Sequence, residues 1–186
     1  DIEGKNLKSA LKKSKIENTL IETSDAPTIT KLRVIGQNQQ LIRLDFEKNY
    51  STINKSELIK TYKKIIKNFN IILISDYAKG TLSETPELIQ IAIKAKKQVF
   101  IDPKGNDFTK YKGATLVKPN LKEFENIVGK CEDQNDLTKK AKKLLKKLDL
   151  DYLMITQGAN GMTLISKDKV VSHEKTQAKE VFDVTG

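Results

Sequence analysis

The fold follows from one stretch, Ile71-Ile72-Leu73-Ile74-Ser75-Asp76-Tyr77-Ala78-Lys79-Gly80, in which four consecutive large apolar residues run directly into a polar loop ending in glycine. An unbroken apolar run is typical of a strand covered on both faces, as in a parallel sheet flanked by helices. A helix is expected next, because Thr85 can cap it and Pro86 suits its first position. Apolar residues then repeat at helical spacing: Leu88, Ile89, Ala92 and Ala95.

The same order of apolar run and polar loop occurs again at residues 98–105, 114–123 and 152–161. Loops that leave the carboxyl ends of parallel strands emerge at one edge of an open sheet, where ligands bind. We therefore predict an α/β fold with a mainly parallel sheet and four loops on one edge, here called the rim. Polar, glycine-bearing loops also occur in α/β proteins without a site, and that alternative stays open for each loop.

The remaining elements are predicted from hydrophobic periodicity within a single domain. They are a helix over 5–15 after a turn-like 1–4, strands over 29–35 and 40–47 joined at Gly36-Gln37-Asn38, a helix over 54–67, and strands over 162–166 and 169–172 turning at Lys167-Asp168.

The composition carries a strong excess of positive charge. Lys and Arg number 34 against 24 Asp and Glu, which gives a net charge of +10 over 186 residues. Many lysines fall on the outward face of a predicted helix, and its inward face carries Leu137, Ala141, Leu144, Leu145 and Leu148. A solvated lysine face is therefore favoured over a nucleic-acid stripe, and no nucleic-acid partner is expected.

Arg33 and Arg43 are the only arginines, and both lie in the predicted hairpin. A planar, bidentate guanidinium indicates a task such as gripping a phosphate. We interpret the hairpin, at about residues 28–47, as a small antiparallel flap whose polar side, including Gln39, covers a ligand. The alternative is that this side simply faces solvent.

Single cysteine and histidine residues exclude several kinds of site. Cys131 stands alone, which rules out an intrachain disulfide and a multi-cysteine metal centre and suits a reducing cytoplasm. His173 also stands alone, so a histidine-cluster metal site is excluded and a Ser-His-Asp triad is disfavoured. Because no apolar run approaches the roughly 20 residues of a membrane span, no membrane partner is expected.

Two pairs of rim residues have both a structural and a functional interpretation. Asn120 and Glu123 have the spacing of a capping box, and they can equally hold hydrated Mg²⁺ and orient phosphates. Gly158 and Gly161 let backbone N–H groups approach a phosphate closely, although the spacing fits neither a P-loop nor the dinucleotide fingerprint. Lys79 and Lys104 each lie near a glycine on the predicted rim and are expected to bind phosphate.

Several motifs together resemble those of the ribokinase, or PfkB-type, carbohydrate kinases. In chain order they are Asp1-Ile2-Glu3-Gly4, Asn120-x-x-Glu123, Thr156-x-Gly158-x-x-Gly161 and Asp183-Val184-Thr185-Gly186. Segments similar to the kinase domain of bacterial heptose kinases are 30–35, 38–45, 75–80 and 102–105. The resemblance spans nearly the whole chain and implies a ribokinase-like three-layer α/β/α core in which the flap is a lid.

The resemblance also implies an activity. Heptose kinases of this family use ATP and Mg²⁺ to phosphorylate D-glycero-β-D-manno-heptose 7-phosphate at its anomeric oxygen, in the cytoplasm. The 1,7-bisphosphate leads to ADP-heptose for lipopolysaccharide. Such kinases are often fused to an adenylyltransferase domain, and the flap often pairs two subunits, so a homodimer and a fused or partner adenylyltransferase are expected.

The resemblance assigns roles to individual residues. On the nucleotide side, at about residues 115–186, Asn120 and Glu123 are expected to hold Mg²⁺ through water and to contact the triphosphate, and Thr156, Gly158 and Gly161 to contact the nucleotide. Lys104, which precedes this region in the chain, is expected to contact phosphate. On the acceptor side the expected contacts are Arg33, Gln39, Gln40, Arg43, Lys79 and Asp102.

The chain departs from the family at its ends. In the family the terminal turn continues Ala-Gly-Asp, so Thr185 and Gly186 would only begin the anion hole, and the catalytic Asp would lie beyond Gly186. The family's first strands would precede Asp1. We therefore expect residues 1–186 to be a fragment of one kinase domain, incomplete at both ends and inactive by itself, because phosphoryl transfer depends on positioning and a base.

Two alternatives stay open. One is another sugar or sugar-phosphate kinase of the ribokinase family, and the test between the two is whether Arg33 and Arg43 demand a phosphorylated acceptor. The other is a non-catalytic α/β module that binds nucleotide or nucleic acid, with a steep salt dependence for random oligonucleotide.

Overall fold

The structure is a computed structural model that describes residues 1–24, 26–37, 39–50, 55–167 and 169–175. Two of the predicted turn residues, Asn38 and Asp168, lie outside these ranges, as does the terminal motif with Thr185 and Gly186. Within the described ranges, no helix has the length and apolar character needed to cross a bilayer.

The predicted helices and strands are all present, with ends shifted by up to a few residues. In chain order the elements are α1 (Ile2–Lys13), β1 (Thr30–Gly36), β2 (Gln39–Phe46), α2 (Ser56–Ile65), β3 (Ile71–Ser75), α3 (Thr85–Lys94), β4 (Gln98–Asp102), β5 (Leu116–Val117), α4 (Leu121–Val128), α5 (Gln134–Leu148), β6 (Tyr152–Thr156), β7 (Met162–Ser166) and β8 (Val170–Glu174). Short 3-10 turns lie at Ile66–Asn68, Thr109–Tyr111 and Gly158–Asn160.

The chain forms two compact units. The flap unit comprises Asp1–Leu58 with Lys79–Ser83, and the sheet unit comprises Ile59–Ala78 with Glu84–Gly186. In the flap unit, β1 and β2 form the predicted antiparallel hairpin, in which Arg33 lies directly opposite Arg43.

Helix α1 begins at the start of the chain, which corrects the turn predicted for residues 1–4. The Asp1 side chain accepts a hydrogen bond from the Gly4 amide at 2.7 Å and so caps the helix. Glu3 adds a carboxylate to the first turn, where the helix dipole favours negative charge. Asp1 also accepts a hydrogen bond from the Thr28 amide at 2.7 Å, which ties the helix to the segment leading into β1.

The sheet unit is built on one mixed sheet with the strand order β3-β4-β5-β6-β7-β8. Strands β3 to β6 run parallel, whereas β7 and β8 continue the sheet as antiparallel strands. The carboxyl ends of the four parallel strands therefore share one edge, as predicted. Helices α3, α4 and α5 pack on the sheet, and their buried residues form the core with one face of it: Leu88, Ile89, Ala92, Val99, Ile101, Val117, Phe124, Leu144, Leu145, Leu153, Ile155 and Ile165.

Strand β3 corrects the expectation of burial on both faces. Ile74 is 5% exposed, but Ile71 and Leu73 are 51% and 73% exposed. Among the described residues β3 is one of the two edge strands of the sheet, and the side chains that alternate with Ile74 lie on the face opposite the core. The apolar run was therefore a correct signal for a strand and a wrong signal for its burial.

The start of helix α3 also differs from the prediction. Glu84 occupies the N-cap position, and Thr85 is the first helical residue and fully buried. Pro86 lies in the first turn, where its missing N–H is tolerated.

Candidate functional site

The rim carries a cavity of about 750 Å³ within the sheet unit. It is lined by residues from the ends of β3, β4, β5 and β6 and from the β7–β8 pair: Asp76, Tyr77, Asp102, Pro103, Lys104, Lys118, Asn120, Glu123, Thr156, Gly158, Gly161, Met162, Glu174 and Lys175. The structure thus brings together all six residues predicted for the nucleotide side, together with Asp102.

Backbone hydrogen bonds hold the strand ends of the rim beside one another. The Asp76 amide donates to the Asp102 carbonyl at 2.9 Å, and the Thr156 amide donates to the Pro119 carbonyl at 3.1 Å. An isolated parallel bridge joins Asn120 to Thr156. The loops after neighbouring strands are therefore fixed by the sheet itself, which is the arrangement that positions a ligand in this class of fold.

Asn120 and Glu123 form the capping box predicted as the structural alternative. The Glu123 amide donates to Asn120 Oδ1 at 2.8 Å, and the Asn120 amide donates to Glu123 Oε2 at 3.0 Å. The other oxygen, Glu123 Oε1, accepts a hydrogen bond from Lys104 Nζ at 2.7 Å. The Glu123 side chain is only 13% exposed, and its ion pair raises the pKa of Lys104. Lys104 is therefore a positive charge on the rim that is paired with Glu123.

These oxygen atoms suit a hydrated Mg²⁺, because each of them already accepts a hydrogen bond from the protein. Among the described residues, no group of three or more His, Cys, Asp or Glu side chains is placed to hold a metal ion. Mg²⁺ usually keeps several waters and is held by one or two carboxylates together with substrate phosphates. Asn120 and Glu123 offer an amide and a carboxylate for such a shared site.

Sequence reasoning missed an ion pair between Lys110 and the buried carboxylate of Asp76, a residue that lines the rim cavity. Asp76 is 6% exposed, accepts hydrogen bonds from Lys110 Nζ at 2.6 Å and Tyr111 Oη at 2.9 Å, and accepts a third from the Ala78 amide at 2.7 Å. Burial alone would raise the pKa of Asp76, but these three hydrogen bonds outweigh burial and lower it. Asp76 is therefore an anchored carboxylate.

Tyr111 connects this ion pair to Lys104. The Tyr111 hydroxyl lies 3.3 Å from both the amide and the carbonyl of Lys104, so it bridges Asp76 to the Lys104 backbone. Burial, the largest influence, raises the pKa of Tyr111 well above its ordinary value, which keeps the hydroxyl protonated as a donor. The sequence offered a partial indication of this cluster, because Asp76 directly follows β3. No sequence pattern pointed to Lys110 or Tyr111.

The two loop glycines differ in what their hydrogens face. Gly158 has a φ of +58°, and an added Cβ would meet nothing within 4 Å. Gly161 has a φ of +84°, and an added Cβ would lie 1.9 Å from the Glu174 carbonyl oxygen. Gly161 is therefore required by the close passage of the chain after β8, whereas Gly158 leaves open space beside the cavity, as the approach of a ligand to the backbone requires.

Asp102 and Lys118 form a second ion pair on the rim, with Nζ 3.0 Å from Oδ1. Both side chains are more than two-fifths exposed, so the pair adds little stability. Lys118 was not predicted as a site residue, because the lysines predicted to bind phosphate were those near a glycine and Lys118 is followed by Pro119, although it directly follows β5.

The predicted acceptor-side residues other than Asp102 belong to the flap unit. Lys79 forms an ion pair with Glu47. Arg43 Nε lies 3.0 Å from Asp45 Oδ1, and Arg33 lies across the hairpin from Arg43. Gln39 and Gln40 begin β2 and are exposed. Their roles toward a substrate stay predictions, as do those of Thr185 and Gly186, which lie outside the described residues.

Comparisons with known proteins identify, over the whole chain, the same family that the sequence motifs resemble. Residues 1–186 match the family model described as pfkB family carbohydrate kinase. Bifunctional protein HldE of Pasteurella multocida is 44% identical over 186 residues, covering 100% of the chain and 39% of that relative. HldE of Photorhabdus laumondii subsp. laumondii is 47% identical over 180 residues, covering 97% and 38%. The chain thus spans less than half the length of these relatives.

A solved structure supports the fold. Ribokinase from Giardia lamblia superposes with a TM-score of 0.73 at 16% sequence identity, over 95% of this chain and 56% of that one. At this identity the likeness concerns the fold alone, and it confirms the predicted ribokinase-like α/β class.

Proposed function

Because the chain belongs to the pfkB family of carbohydrate kinases, we propose that it belongs to a kinase that depends on ATP and Mg²⁺ and acts on D-glycero-β-D-manno-heptose 7-phosphate. The reaction transfers the γ-phosphoryl group of ATP to O1 of the sugar and yields the 1,7-bisphosphate, in the cytoplasm, for ADP-heptose and lipopolysaccharide. The observation that carries the proposal is the rim cavity, where Lys104, Asn120 and Glu123 lie with the open backbone at Gly158.

Four residues of the rim have roles in binding the nucleotide. The Gly158 backbone lets phosphate oxygens approach its N–H group, and Lys104 neutralises their charge from its position beside Glu123. Asn120 and Glu123 orient the water shell of Mg²⁺, which supplies further charge neutralisation when bound. Phosphoryl transfer depends mainly on such positioning and neutralisation, so this set suits the donor half of the reaction.

The flap arginines support a phosphorylated acceptor. Arg33 and Arg43 lie directly opposite each other, an arrangement in which like charges repel. Asp45 offsets this repulsion in part, because its Oδ1 lies 3.0 Å from Arg43 Nε. An acceptor phosphate bound by the two guanidinium groups would remove the rest of the repulsion, because arginine binds phosphate in a bidentate manner.

The substrate proposal is tested by ATP consumption with three acceptors: heptose 7-phosphate, fructose 6-phosphate and ribose. We expect consumption to depend on heptose 7-phosphate. Faster turnover with fructose 6-phosphate or ribose would contradict the heptose assignment and favour another sugar kinase of the same family.

The Glu123→Gln variant is expected to bind Mg·ATP about tenfold more weakly, a loss of about 1.4 kcal/mol, because glutamine keeps the cap but removes the charge that orients Mg²⁺ and Lys104. Isothermal titration with Mg·ATP measures the change. Glu125→Gln removes a carboxylate from the same helix, α4, at a residue that accepts from the Cys131 amide instead. Equal weakening in both variants would contradict a specific role for Glu123.

The flap is also the proposed homodimer surface. One face of the hairpin carries exposed apolar side chains that are 40–56% exposed, at Leu32, Val34, Ile42, Leu44 and Phe46. Uncovered apolar patches of this kind mark interaction sites. A second copy of the chain would cover this patch by presenting the same face.

The Leu44→Lys variant is therefore expected to change a dimer into a monomer, because each interface would carry two buried, unpaired ammonium groups. Light scattering after gel filtration gives the molar mass. Leu7→Lys, at a 43% exposed position on α1 of the same unit, is the matched control and should stay dimeric. A wild-type chain that is monomeric at high concentration would contradict the surface assignment.

We further propose that the product passes to an adenylyltransferase, either fused to this chain or acting as a partner. The support is that the matched relatives are described as bifunctional and that the chain spans 38–39% of their length.

A further inference from the structure

We propose that Thr163 is a positioning residue that holds the loop over residues 157–161 in the shape that binds nucleotide phosphate, an inference that rests on the proposed kinase function. Thr163 lies on β7, is fully buried, and is one of the few buried polar side chains among the described residues. Its hydroxyl does not line the rim cavity. Its partners, however, come from the helix, the strand and the loop around it.

The Thr163 hydroxyl is the centre of a closed polar network. Gln134 Nε2, at the start of α5, donates to Thr163 Oγ1 at 2.8 Å. Thr163 Oγ1 in turn donates to Gln157 Oε1 at 2.7 Å, and Gln157 Nε2 donates to Gln134 Oε1 at 3.2 Å. His173 Nδ1, directly across the β7–β8 pair, lies 2.9 Å from the same hydroxyl oxygen.

The number of hydrogens and lone pairs on the Thr163 hydroxyl indicates how His173 takes part in the network. A threonine hydroxyl has one hydrogen and two acceptor lone pairs. In either orientation of the two glutamine amides, that hydrogen goes to one amide oxygen and one lone pair accepts from the other amide. The tautomer of His173 that carries its hydrogen on Nδ1 donates to the second lone pair. The hydrogen and both lone pairs of the hydroxyl are then all engaged. A methyl group in place of the hydroxyl would remove one hydrogen bond from each of its three partners.

The network acts on the nucleotide loop through Gln157. The Gln157 amide donates to the Gly161 carbonyl at 2.7 Å, and the Asn160 amide donates to the Gln157 carbonyl at 3.1 Å. Gln157 thus closes the loop by its backbone and anchors it to Thr163 by its side chain. Its neighbours in sequence, Thr156 and Gly158, line the rim cavity. Release of the Gln157 side chain would therefore loosen the backbone that is expected to meet phosphate.

The test compares variants by two measurements, Mg·ADP affinity by isothermal titration and amide hydrogen exchange of loop residues by NMR. For Thr163→Val we expect the exchange rates of the Gln157, Asn160 and Gly161 amides to rise at least tenfold and the Kd for Mg·ADP to rise about tenfold. Thr163→Ser keeps the hydroxyl and should stay within about twofold of wild type in both.

Two further variants separate positioning from general stability. Thr115→Val removes another threonine hydroxyl, just before β5, that accepts a hydrogen bond from the Val99 amide at 3.0 Å, and should leave the loop amides and the Kd unchanged. Gln157→Ala removes the loop side of the network without altering a buried strand position, and should reproduce both effects if Thr163→Val fails to fold.

Unchanged loop exchange in Thr163→Val or in Gln157→Ala would overturn the inference. Faster exchange with an unchanged Kd would also overturn it, because the network would then hold the loop without serving the nucleotide. A wild-type chain that binds no Mg·ADP would contradict the proposed function itself, while the exchange rates would still decide whether the network orders the loop.

Discussion

The Gly161→Ala variant is expected to lose about 3–5 kcal/mol of its free energy of unfolding, a large part of a typical domain's stability. The added Cβ would lie 1.9 Å from the Glu174 carbonyl oxygen and 2.9 Å from Lys175 Cα, both of them backbone atoms. A φ of +84° with a ψ of −137° is also a conformation that alanine adopts only under strain. Urea unfolding followed by circular dichroism measures the loss.

Gly158→Ala is the matched control for this prediction. Its Cβ would meet nothing within 4 Å, so only the cost of a φ of +58° applies, about 1–2 kcal/mol. The two variants should also differ in function. Gly158→Ala should weaken nucleotide binding in a chain that stays folded, because the methyl group occupies the space beside the cavity. Equal stability of the two variants would contradict the described path of the chain after β8.

The Asp76→Asn variant is expected to lose about 2–3 kcal/mol at pH 7, because it leaves the charge of Lys110 without its partner in a mostly buried position. The Lys110 and Asp76 side chains are 28% and 4% exposed. Lys104 should also lose part of its backbone support, which passes through Tyr111. Asp151→Asn removes an exposed carboxylate 3.6 Å from Lys167 and should cost less than about 1 kcal/mol.

The pH dependence of Asp76→Asn has a definite sign. The pKa of Asp76 is lower in the folded chain than its ordinary value, so ionised Asp76 stabilises the fold above about pH 4 and this contribution is lost as the pH falls through the folded pKa. The stability difference between wild type and Asp76→Asn should therefore be largest near pH 7 and shrink toward pH 3. A difference that grows in acid would contradict the ion pair with Lys110.

The rim could be predicted from the sequence because its residues are specified by patterns of neighbouring residues in the chain. Asp102, Lys104 and Asn120 each lie within three residues after an apolar run, and the parallel arrangement of consecutive strands then places their loops on one edge. The capping spacing of Asn120 and Glu123 likewise specifies a geometry that the structure contains.

What the sequence did not reveal depends on contacts between distant residues. Asp76 and Lys110 are separated by 34 residues, and no periodic pattern marks such a pair. The burial of β3 was overestimated for a related reason, since an apolar run specifies a strand but not whether both its faces and edges are covered. The Thr163 network joins Gln134, Gln157 and His173 across three elements. His173 stands out in the sequence as the single histidine, but no sequence pattern links it to Thr163 or to the two glutamines.

The most direct test of the central claim is an NMR titration of the chain with Mg·ADP, in which amide shifts map where the nucleotide binds. We predict saturable changes centred on the amides of Asn120, Glu123, Thr156 and Gly158, and a weaker response in Glu123→Gln. Saturable changes centred instead on the lysine face of α5, or no saturable binding, would contradict a nucleotide site at the rim.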